Sequence, residues 1–531
     1  MAPWSDASNK GVDLGEQPRG FWAAAAAEPG RIAVIDPAGE RWTAGDIASQ
    51  ANRLVHALRA RGLTEGDPVA TLLPNRAEVL QTLMAVHQAG WNYVPLNNNL
   101  TAAELSYILG DAGAKALVAD QRFAAVAAAA ANQAGVPEPG RLSVGAIPGF
   151  TPLDVALADQ PDRTPEHRVA GQFMQYTSGT TGRPKAVQRD LPSFDPETWV
   201  SVFSGNLSRY DIEPGGDAVH LVTSPMYHMA PLSFGYFSAH FEHPVVLMDK
   251  WDAELALQLI ERHGVTDVHM VPTQLHRLMQ LPEDVRNGYD VSSLRQVIHA
   301  AAPCPIDLKR RLFDWLGPVI YEFYGATEGG GTIATPQDWL THPGTVGRPW
   351  PGADVKVLDE SGRELPPGTV GTVYLMLMGG DFRYKGDPDK TTASRQGDYF
   401  TVGDMGELDE DGFLYLRDRK IDMIISGGVN IYPAEIEATL LSHPAVGDAA
   451  AFGIPDDEWG EQVKAVVEPA APYAASPALA DELLAHCASA LAKYKCPRSI
   501  DFTDAMPRDP NGKLYKRRLR DPYWDGRRRG I

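Results

Sequence analysis

The first half of the chain alternates short apolar runs with longer segments of helical period, and this alternation limits the possible folds more than any other feature. The run Pro68–Leu73 (PVATLL), bounded by turn residues, predicts a buried strand. The same criteria predict strands at Asn92–Leu96 and Ala116–Ala119, and helices at Ala44–Arg61, Arg76–Ala89, Ala102–Ala112 and the alanine-rich Phe123–Ala134. This order of elements predicts a mainly parallel sheet with helices on both faces.

The second half changes character twice. Between Pro351 and Phe413, short alternating runs rich in Val, Gly and Asp predict antiparallel strands and hairpins. From about Ile421 onward we expect a small α+β domain, with strands at Asp422–Ser426 and Val463–Val467 and helices at Pro433–Ser442 and Pro477–Lys493. A chain of 531 residues is too long for one ordinary domain. The sequence therefore predicts an α/β protein, in which a large N-terminal domain of parallel α/β subdomains and a small β-rich subdomain precedes a small C-terminal one.

The charge of the chain restricts its partners. The formal net charge is -20, which on average repels nucleic acid and anionic membrane surfaces. An anionic ligand must then be held by local donors, so glycine-rich loops that carry Lys or Arg become the candidate sites.

The cysteines and the N-terminus indicate an ordinary reducing compartment. Cys304, Cys487 and Cys496 form no C-x-x-C pair, which argues against a disulfide framework or a zinc site. The first residues, MAPWSDASNK, lack the basic and apolar regions of a secretory signal. No apolar stretch approaches the roughly 20 residues that span a bilayer. We expect a cytoplasmic protein without a membrane span.

The strongest candidate site is the segment YTSGTTGRPK, residues Tyr176–Lys185. Glycines allow backbone N–H groups to approach phosphate oxygens, hydroxyl groups donate further hydrogen bonds, and Lys185 supplies a point charge. Lys185 is followed by Ala186 and not by Ser or Thr, so the Walker-type order of a nucleotide hydrolase is absent. The segment therefore predicts a phosphate-binding loop of another class.

Four weaker motifs follow in the chain. Tyr324 offers a flat face for an adenine ring, Thr327 a hydroxyl donor for phosphate, and Glu328 an oxygen ligand suited to Mg²⁺. Asp404, placed on a turn by its Gly-Asp context, can accept from both ribose hydroxyls. The remaining two motifs are DRKID followed by SGGVNIYP, at 418–422 and 426–433, and PRDPNGK at 507–513, whose Asn-Gly turn presents a lysine.

These five motifs, in this order, resemble the adenylate-forming superfamily of acyl-CoA synthetases, nonribosomal-peptide adenylation domains and beetle luciferases. The resemblance extends from about Ala33 to Arg517. The segments HAAAPCP at 299–305, TEGGG at 327–331 and SGGVNIYPAEIE at 426–437 are most similar to bacterial acyl-CoA synthetases for cyclic acids.

The resemblance implies an N-terminal adenylation domain at 1–419, a hinge at 420–421 and a mobile C-terminal domain at 422–531, which rotates between two half-reactions. It also implies a role for each matching residue. The ATP-binding residues would be Thr177, Ser178, Gly179, Thr180, Thr181, Gly182 and Lys185 for phosphates, Ala301, Ala302 and Tyr324 for adenine, Thr327 for the α-phosphate, Glu328 for Mg²⁺, and Asp404 and Arg419 for ribose.

The remaining implied roles concern the acid and its acceptor. Lys513 would bridge the acyl carboxylate and the α-phosphate, and Gly427 and Gly428 would line a tunnel for the pantetheine thiol. The acid pocket would be lined by His228, as its gate, and by Ser233, Phe234, Gly325 and Gly330. Two alternatives remain: His228 as a helix-capping residue, and the glycines at 329–331 as requirements of a tight turn.

The chain departs from the family pattern at the hinge. The second residue after Arg419 is usually Asp or Lys, and here it is the β-branched and therefore stiffer Ile421. This departure bears on the domain rotation and the second half-reaction. The change of Gly to Ala186 after Lys185 should have little consequence.

The expected activity is an AMP-forming acid–CoA ligase that uses ATP, Mg²⁺ and coenzyme A on a bulky or cyclic carboxylic acid. The alternative is an ATP-dependent amide ligase, in which an amine or amino acid attacks the same acyl-adenylate. A module that loads a separate carrier protein is a third possibility. We expect a monomer or a homodimer, as among relatives.

Overall fold

The computed structural model describes residues 20–177, 184–203, 205–377, 382–509 and 512–525. These residues form a mixed α/β structure with parallel sheets, as predicted. The chain divides into two compact units: the first unit contains residues 1–173, 191–222 and 232–247, and the second contains 174–190, 223–231 and 248–531.

The first unit contains a six-stranded parallel sheet. Its strands, in spatial order, are Thr151–Pro152, Arg141–Val144, Ala116–Asp120, Pro68–Leu72, Asn92–Pro95 and Gln172–Phe173. Every residue of Pro68–Leu72 is buried, which explains why this strand is uniformly apolar and does not alternate. A second group of strands joins Val245–Leu247 in parallel to Ile32–Ile35 and His220–Val222, with Arg41–Thr43 antiparallel at the edge.

The helices of the first unit include the four that the periodicity predicts. They are Phe21–Ala27, Ala44–Ala60, Ala77–Gln88, Ala102–Ala112, Ala124–Ala134, Leu153–Leu157, Pro196–Phe203 and Gly205–Ser208, with 3₁₀ turns at Gln121–Phe123 and Glu138–Gly140, while Met229–His240 runs from the second unit into the first. Ala44–Ala60 begins with a capping box, because Thr43 accepts from the Asp46 N–H and Asp46 accepts from the Thr43 N–H. Ala124–Ala134 ends at Gly135, whose left-handed backbone terminates the helix.

The second unit contains a group of adjacent parallel strands. Asp267–Met270, Gln296–His299 and Ile320–Ala326 are adjacent and parallel, and the last of them turns back into the antiparallel Gly329–Ala334 and Arg348–Pro349. The helices of this segment are Ala253–His263, Pro272–Gln280, Glu283–Arg286, Ile306–Leu316 and Pro336–Thr341.

Antiparallel sheets follow, as the alternating pattern predicts. One sheet contains Val355–Leu358, Gly371–Met376, Arg395–Gln396, Tyr399–Phe400, Asp404–Leu408 and Leu414–Arg419, and a smaller one contains Gln175–Thr177, Lys185–Gln188 and Arg383–Tyr384. The short helix Pro388–Ala393 lies between these strands in sequence. Alternate residues of Gly371–Met376 are buried, and they pack in an apolar cluster with Val187, Phe382 and Phe400.

The C-terminal part of the second unit has its own sheet and core. Its strands are Ile424–Ser426, Val429–Ile431, Val446–Asp456, Gly460–Pro469 and Ser499–Phe502, and its helices are Pro433–Leu441, Pro477–Ala490 and Lys516–Arg520, with 3₁₀ turns at Lys493–Lys495 and Asp521–Trp524. Side chains from both longer helices, including Ile436 and Leu483, are fully buried with Val467 of the central strand. The predicted strand Val463–Val467 is thus the middle of a longer one.

Two further predictions are settled by the described residues. All three cysteines are free, as expected. Across the described ranges, we find no helix with the length and apolar character needed to cross a membrane.

Gly347 is a position where the fold requires glycine. Its φ is +94°, and a Cβ there would overlap the carbonyl group of Ile333 in the neighbouring strand. We predict that Gly347→Ala lowers the free energy of unfolding by more than about 3 kcal/mol, because strain at positive φ adds to a backbone clash. Urea unfolding followed by tryptophan fluorescence measures this loss.

Gly412→Ala is the matched control, since Gly412 has φ +79° but open space around its Cα. It should lose about 1 kcal/mol. An equal loss in both variants would contradict the assignment of the larger effect to the Ile333 backbone.

Candidate active site

Two paired strands flank the predicted phosphate loop in sequence. Gln175–Thr177 pairs antiparallel with Lys185–Gln188, and Thr177 stands directly opposite Lys185. The predicted loop residues Ser178, Gly179, Thr180, Thr181 and Gly182 lie outside the described residues. The Lys185 ammonium contacts the carboxylate of Asp387, which also accepts from the Lys390 N–H at the start of Pro388–Ala393.

Glu328 is a buried carboxylate with neighbours on two sides. The Tyr384 hydroxyl donates to its Oε1 at 2.6 Å, and the Arg189 guanidinium donates to the carbonyls of Thr327 and Glu328 at 2.9 and 2.6 Å. The Lys390 ammonium lies 4.1 Å from the centre of the Tyr384 ring. Burial and the nearby Lys185 lower the pKa of Lys390. One carboxylate thus lies among several cationic groups.

Asp404 joins two of the predicted ribose and adenine residues. The Tyr324 hydroxyl donates to Asp404 Oδ2 at 2.7 Å, and Arg419 Nε lies 3.3 Å from Asp404 Oδ1. The prediction that Asp404 lies on a turn is wrong. Asp404 is the first residue of the strand Asp404–Leu408, where it pairs across the sheet with Arg419, so the Gly403 turn ends one residue earlier.

The predicted adenine loop follows the strand Gln296–His299. Ala301 has φ +75°, a conformation that non-glycine residues rarely adopt, and its side chain is exposed. Ala302 is half-buried. Strained residues of this kind are concentrated at functional sites.

The glycines near Glu328 have a packing reason. A Cβ at Gly331 would lie 2.6 Å from the Trp350 ring, and one at Gly330, whose φ is +69°, would lie 2.7 Å from the Met376 carbonyl oxygen. Gly325 pairs with Gly331 across the hairpin. Close backbone approach therefore accounts for these glycines, and the lining of an acid pocket by Gly325 and Gly330 stays a prediction.

The C-terminal lysine is held by a tight local loop. Asp509 Oδ1 accepts from the Lys513 N–H at 3.0 Å, and the Asp509 N–H donates to the Lys513 carbonyl at 3.0 Å. A Cβ at Gly512 would lie 2.6 Å from Thr273 Oγ1, so this loop packs closely against the start of Pro272–Gln280. Burial lowers the pKa of Lys513, and the charge of Arg419 lowers it further, while Asp509, Asp422 and Asp404 oppose. The charges of Asp404 and Arg419 therefore both act on the pKa of Lys513.

His228 lies beside the same loop, directly before Met229–His240. Its Nε2 atom is 3.9 Å from Asp509 Oδ2 and is buried without a hydrogen-bond partner among the residues described. Burial lowers the pKa of His228 from 6.5 to about 4, which Asp509 opposes and Lys513 reinforces. The ring is therefore neutral near pH 7.

Four predicted site residues lie elsewhere. Ser233 and Phe234 belong to the first unit, where Phe234 packs 5.5 Å from the Tyr210 ring and 6.1 Å from the His220 ring between centroids. Gly427 and Gly428 form the turn between Ile424–Ser426 and Val429–Ile431, and a Cβ at Gly427 would lie 2.5 Å from the Trp459 ring.

The carboxylates of the site fit a magnesium ion bound mainly through a ligand. In the described part of the chain, no three or more His, Cys, Asp or Glu side chains form a group that could hold a metal by themselves. Mg²⁺ is commonly bound by one or two carboxylates together with phosphate oxygens. A single buried carboxylate such as Glu328, with cations around it, matches that pattern.

Sequence patterns did not reveal several residues of this cluster. Arg189, Tyr384, Asp387 and Asp509 contact predicted site residues. Lys390 contacts two of these newly found residues, Tyr384 and Asp387. A weak signal existed for Asp387, because Asp before Pro388 is a helix-start pattern. Asp509 lies within the PRDPNGK motif, but its role in holding Lys513 became visible only from the contacts.

Comparison with known proteins shows the family of the chain. The profile of the AMP-binding enzyme family matches residues 21–379, and that of the AMP-binding enzyme C-terminal domain matches residues 435–513. Feruloyl-CoA synthase from Amycolatopsis sp. is 36% identical over 485 residues, covering 91% of this chain and 94% of that protein. A fatty acid–acyl-carrier-protein ligase, ScoC from Streptomyces coeruleorubidus, is 33% identical over 502 residues, covering 92% of each.

A solved structure of an adenylate-forming enzyme is similar to this chain along most of its length. The amide bond synthetase McbA from Marinactinospora thermotolerans has a TM-score of 0.79 and 28% identity, covering 95% of this chain and 99% of that one. The fold and the matches define an adenylate-forming ligase. The chain belongs to the AMP-binding enzyme family.

Lys513 is the first residue to test. We predict that Lys513→Ala lowers acid-dependent ATP–pyrophosphate exchange by at least about 100-fold, because the charge that stabilises a reacting phosphate is lost. Lys493→Ala, an exposed lysine of the same C-terminal segment, is the control and should retain full exchange. Exchange by Lys513→Ala within a few-fold of wild type would show that Lys513 is not the adenylation lysine.

The neutral state of His228 gives a pH prediction. A pKa of about 4, below the ordinary 6.5, means that the ring gains its proton only in more acidic solution. The ratio of exchange rates between wild type and His228→Gln should therefore stay constant from about pH 5.5 to about pH 8. A change in that ratio centred near the ordinary histidine value would contradict the buried, neutral ring.

Proposed function

We propose that this ligase joins a bulky or ring-containing carboxylic acid to coenzyme A in two steps, with an acyl-adenylate as intermediate and AMP and pyrophosphate as products. The observation that carries the proposal is the link from the Tyr324 hydroxyl through the Asp404 carboxylate to Arg419, three residues proposed to hold adenine and ribose. The charges of Arg419 and Asp404 also act on the pKa of the half-buried Lys513. This electrostatic coupling supports a role of the C-terminal segment in adenylation.

The proposed ATP site uses the clusters described above. The phosphates would lie between the Thr177–Lys185 segment and Glu328, with Thr327 on the α-phosphate. Adenine would lie against Ala301, Ala302 and Tyr324, and the ribose against Asp404 and Arg419. Mg²⁺, held by Glu328 and the phosphates, would supply positive charge to the triphosphate. The hydrogen bond from Tyr384 and the Arg189 contacts keep the Glu328 carboxylate in place for this role.

The chemistry of the first step explains why a buried lysine is needed. The acid carboxylate must approach the α-phosphate, so two anions come together. The Lys513 ammonium bridges them and stabilises the charge that develops as the bond to pyrophosphate breaks. Its pKa is lowered by burial, and the surrounding Asp509, Asp422 and Asp404 favour the charged form that this role requires.

His228 contributes to the same step as a neutral ring. A charged imidazolium would add a second cation next to Lys513, which burial disfavours. A neutral ring can instead cover the acid and exclude water from the mixed anhydride. We propose this covering role for His228.

The second step needs the C-terminal part to turn. We propose the division at 1–419, 420–421 and 422–531, with Gly427 and Gly428 along the path of the thiol. Asp418, just before the hinge, accepts from the Ala434 N–H at 3.0 Å, and Arg520 donates to the Ile421 carbonyl at 3.5 Å. Rotation would have to break contacts of this kind. The Ile421 side chain itself is 40% exposed, so its cost to rotation is backbone stiffness and not lost packing.

The acceptor distinguishes this proposal from its alternative. Similarity to an amide bond synthetase and the unusual Ile421 both favour an amine as the second nucleophile. Coenzyme A is favoured by the match to feruloyl-CoA synthase, and that relative also supports an acid with a ring. ScoC brings an acyl-carrier protein as a third acceptor to test.

Product analysis tests the proposal. Aryl, alicyclic and linear acids are each incubated with ATP, Mg²⁺ and either coenzyme A alone or an amine alone, and the products are identified by mass spectrometry. We predict a thioester and AMP, with the highest yield from a ring-containing acid. Absence of thioester at saturating coenzyme A, with amide formed in the parallel reaction, would overturn the coenzyme A assignment and leave the adenylation step intact.

A further inference from the structure

A buried ionic cluster lies below the proposed adenine site. Lys309 is fully buried, and its Nζ atom donates to Glu322 Oε2 at 2.6 Å. His299, also fully buried, places its Nε2 atom 3.5 Å from the same carboxylate oxygen. The Lys309 ammonium lies 5.0 Å from the centre of the Trp339 ring, which covers it with a cation–π contact. The proposed reaction uses none of these groups.

The three residues lie at the junctions of the two adenine-binding elements. His299 is the last residue of the strand that leads into the Ala300–Ala302 loop, and Lys309 is on Ile306–Leu316, the helix that follows it. Glu322 pairs in register with His299 and stands two residues before Tyr324 on the same strand. Both ends of the loop therefore meet the strand of Tyr324 at one carboxylate.

Stability alone is a poor explanation for this cluster. Removing two charges from water is expensive, and apolar replacements of buried ion pairs are often neutral or stabilising. Burial lowers the pKa of His299 far below its ordinary value, so its ring is neutral and adds no second positive charge to the pair. What the cluster does provide is a fixed geometry, because a buried charge tolerates little displacement from its partner.

The loop above the cluster needs such a support. Ala301 holds φ +75°, which a non-glycine residue keeps only when its surroundings impose it. A flat base between Ala301 and Tyr324 requires a defined gap between the loop and the strand. The fixed distances from His299 and Lys309 to Glu322 determine the width of that gap.

We propose that the Lys309–Glu322–His299 cluster positions the two walls of the adenine site and thereby sets the affinity for the base of ATP. The inference rests on the proposed function, since it assumes that ATP binds at Ala301, Ala302 and Tyr324. These residues do not touch the nucleotide, and they act through the loop and the strand.

The test compares ligands that occupy different ends of the site. Adenosine probes the base and ribose end, and inorganic tripolyphosphate probes the phosphate end, each as a competitive inhibitor against ATP. The variants are Glu322→Gln, Lys309→Met and the double variant that leaves no unpaired buried charge. Asp120→Asn in the first unit is the matched control, because Asp120 is also a buried carboxylate paired with an arginine, Arg76.

In Glu322→Gln, the inhibition constant of adenosine and the KM for ATP should each rise by about tenfold or more. The inhibition constant of tripolyphosphate and the KM for the acid should stay within about twofold of the wild-type values. The double variant should regain the Tm lost by the single variants without regaining adenosine affinity. It also supplies the measurement if a single variant does not fold. Asp120→Asn should lower the Tm and leave adenosine inhibition unchanged.

Adenosine inhibition within about twofold of wild type, or equal weakening of adenosine and tripolyphosphate inhibition, would overturn the inference, because a positioning role predicts loss at the base end alone. A wild-type enzyme that adenosine does not inhibit would contradict the proposed ATP site as well. If adenosine inhibits the wild-type enzyme and inhibits the variants equally well, the role of the cluster is contradicted and the proposed ATP site is not.

Discussion

The candidate site depends on the carboxylate of Asp404. It accepts a hydrogen bond from Tyr324, on the parallel strand Ile320–Ala326, and it pairs with Arg419 across the antiparallel sheet. One side chain therefore links two differently built parts of the second unit. Its charge also reaches Lys513 from the C-terminal part. Replacing this carboxylate would remove the acidic partner of Arg419 and one of the three carboxylates that act on Lys513.

The overall negative charge of the chain opposes the binding of an anionic nucleotide. With a net charge of -20, the chain must gather cations locally to hold a triphosphate. We propose Lys185, Lys390, Arg419 and Lys513 for this role. Two of them pair directly with a carboxylate: Lys185 contacts Asp387, and Arg419 contacts Asp404. Pairing keeps the cations in place before the nucleotide arrives, and preorganised charge contributes more to catalysis than charge that must first move.

Many of the secondary-structure elements and site segments could be predicted from the sequence, because the patterns that mark them involve residues close together in the chain. Period and turn residues located three strands and four helices of the first unit within a few residues, as Pro68–Leu72 and Ala44–Ala60 show. Thr177 and Lys185, predicted to belong to one phosphate-binding segment, are cross-strand partners in the structure. Contacts distant in sequence could not be predicted. Tyr384 reaches Glu328 across 56 positions, and no local pattern marks a tyrosine for that contact.

Other differences also have physical causes. Asp404 was expected on a turn because Gly-Asp is a turn signal, but its cross-strand partner Arg419 draws it into the sheet. Gly331 is a small residue, but the Trp350 ring occupies the space beside it. A ring contributed from elsewhere in the chain cannot be inferred from small residues alone.

The central claim is that the acid is activated by bonding to the α-phosphate of ATP. An acid labelled with heavy oxygen in its carboxylate tests this directly, because an acyl-adenylate leaves one acid oxygen on AMP when the acceptor attacks. The account predicts labelled AMP and unlabelled pyrophosphate by mass spectrometry. Label in inorganic phosphate, with ADP as the nucleotide product, would show an acyl-phosphate route and contradict the account.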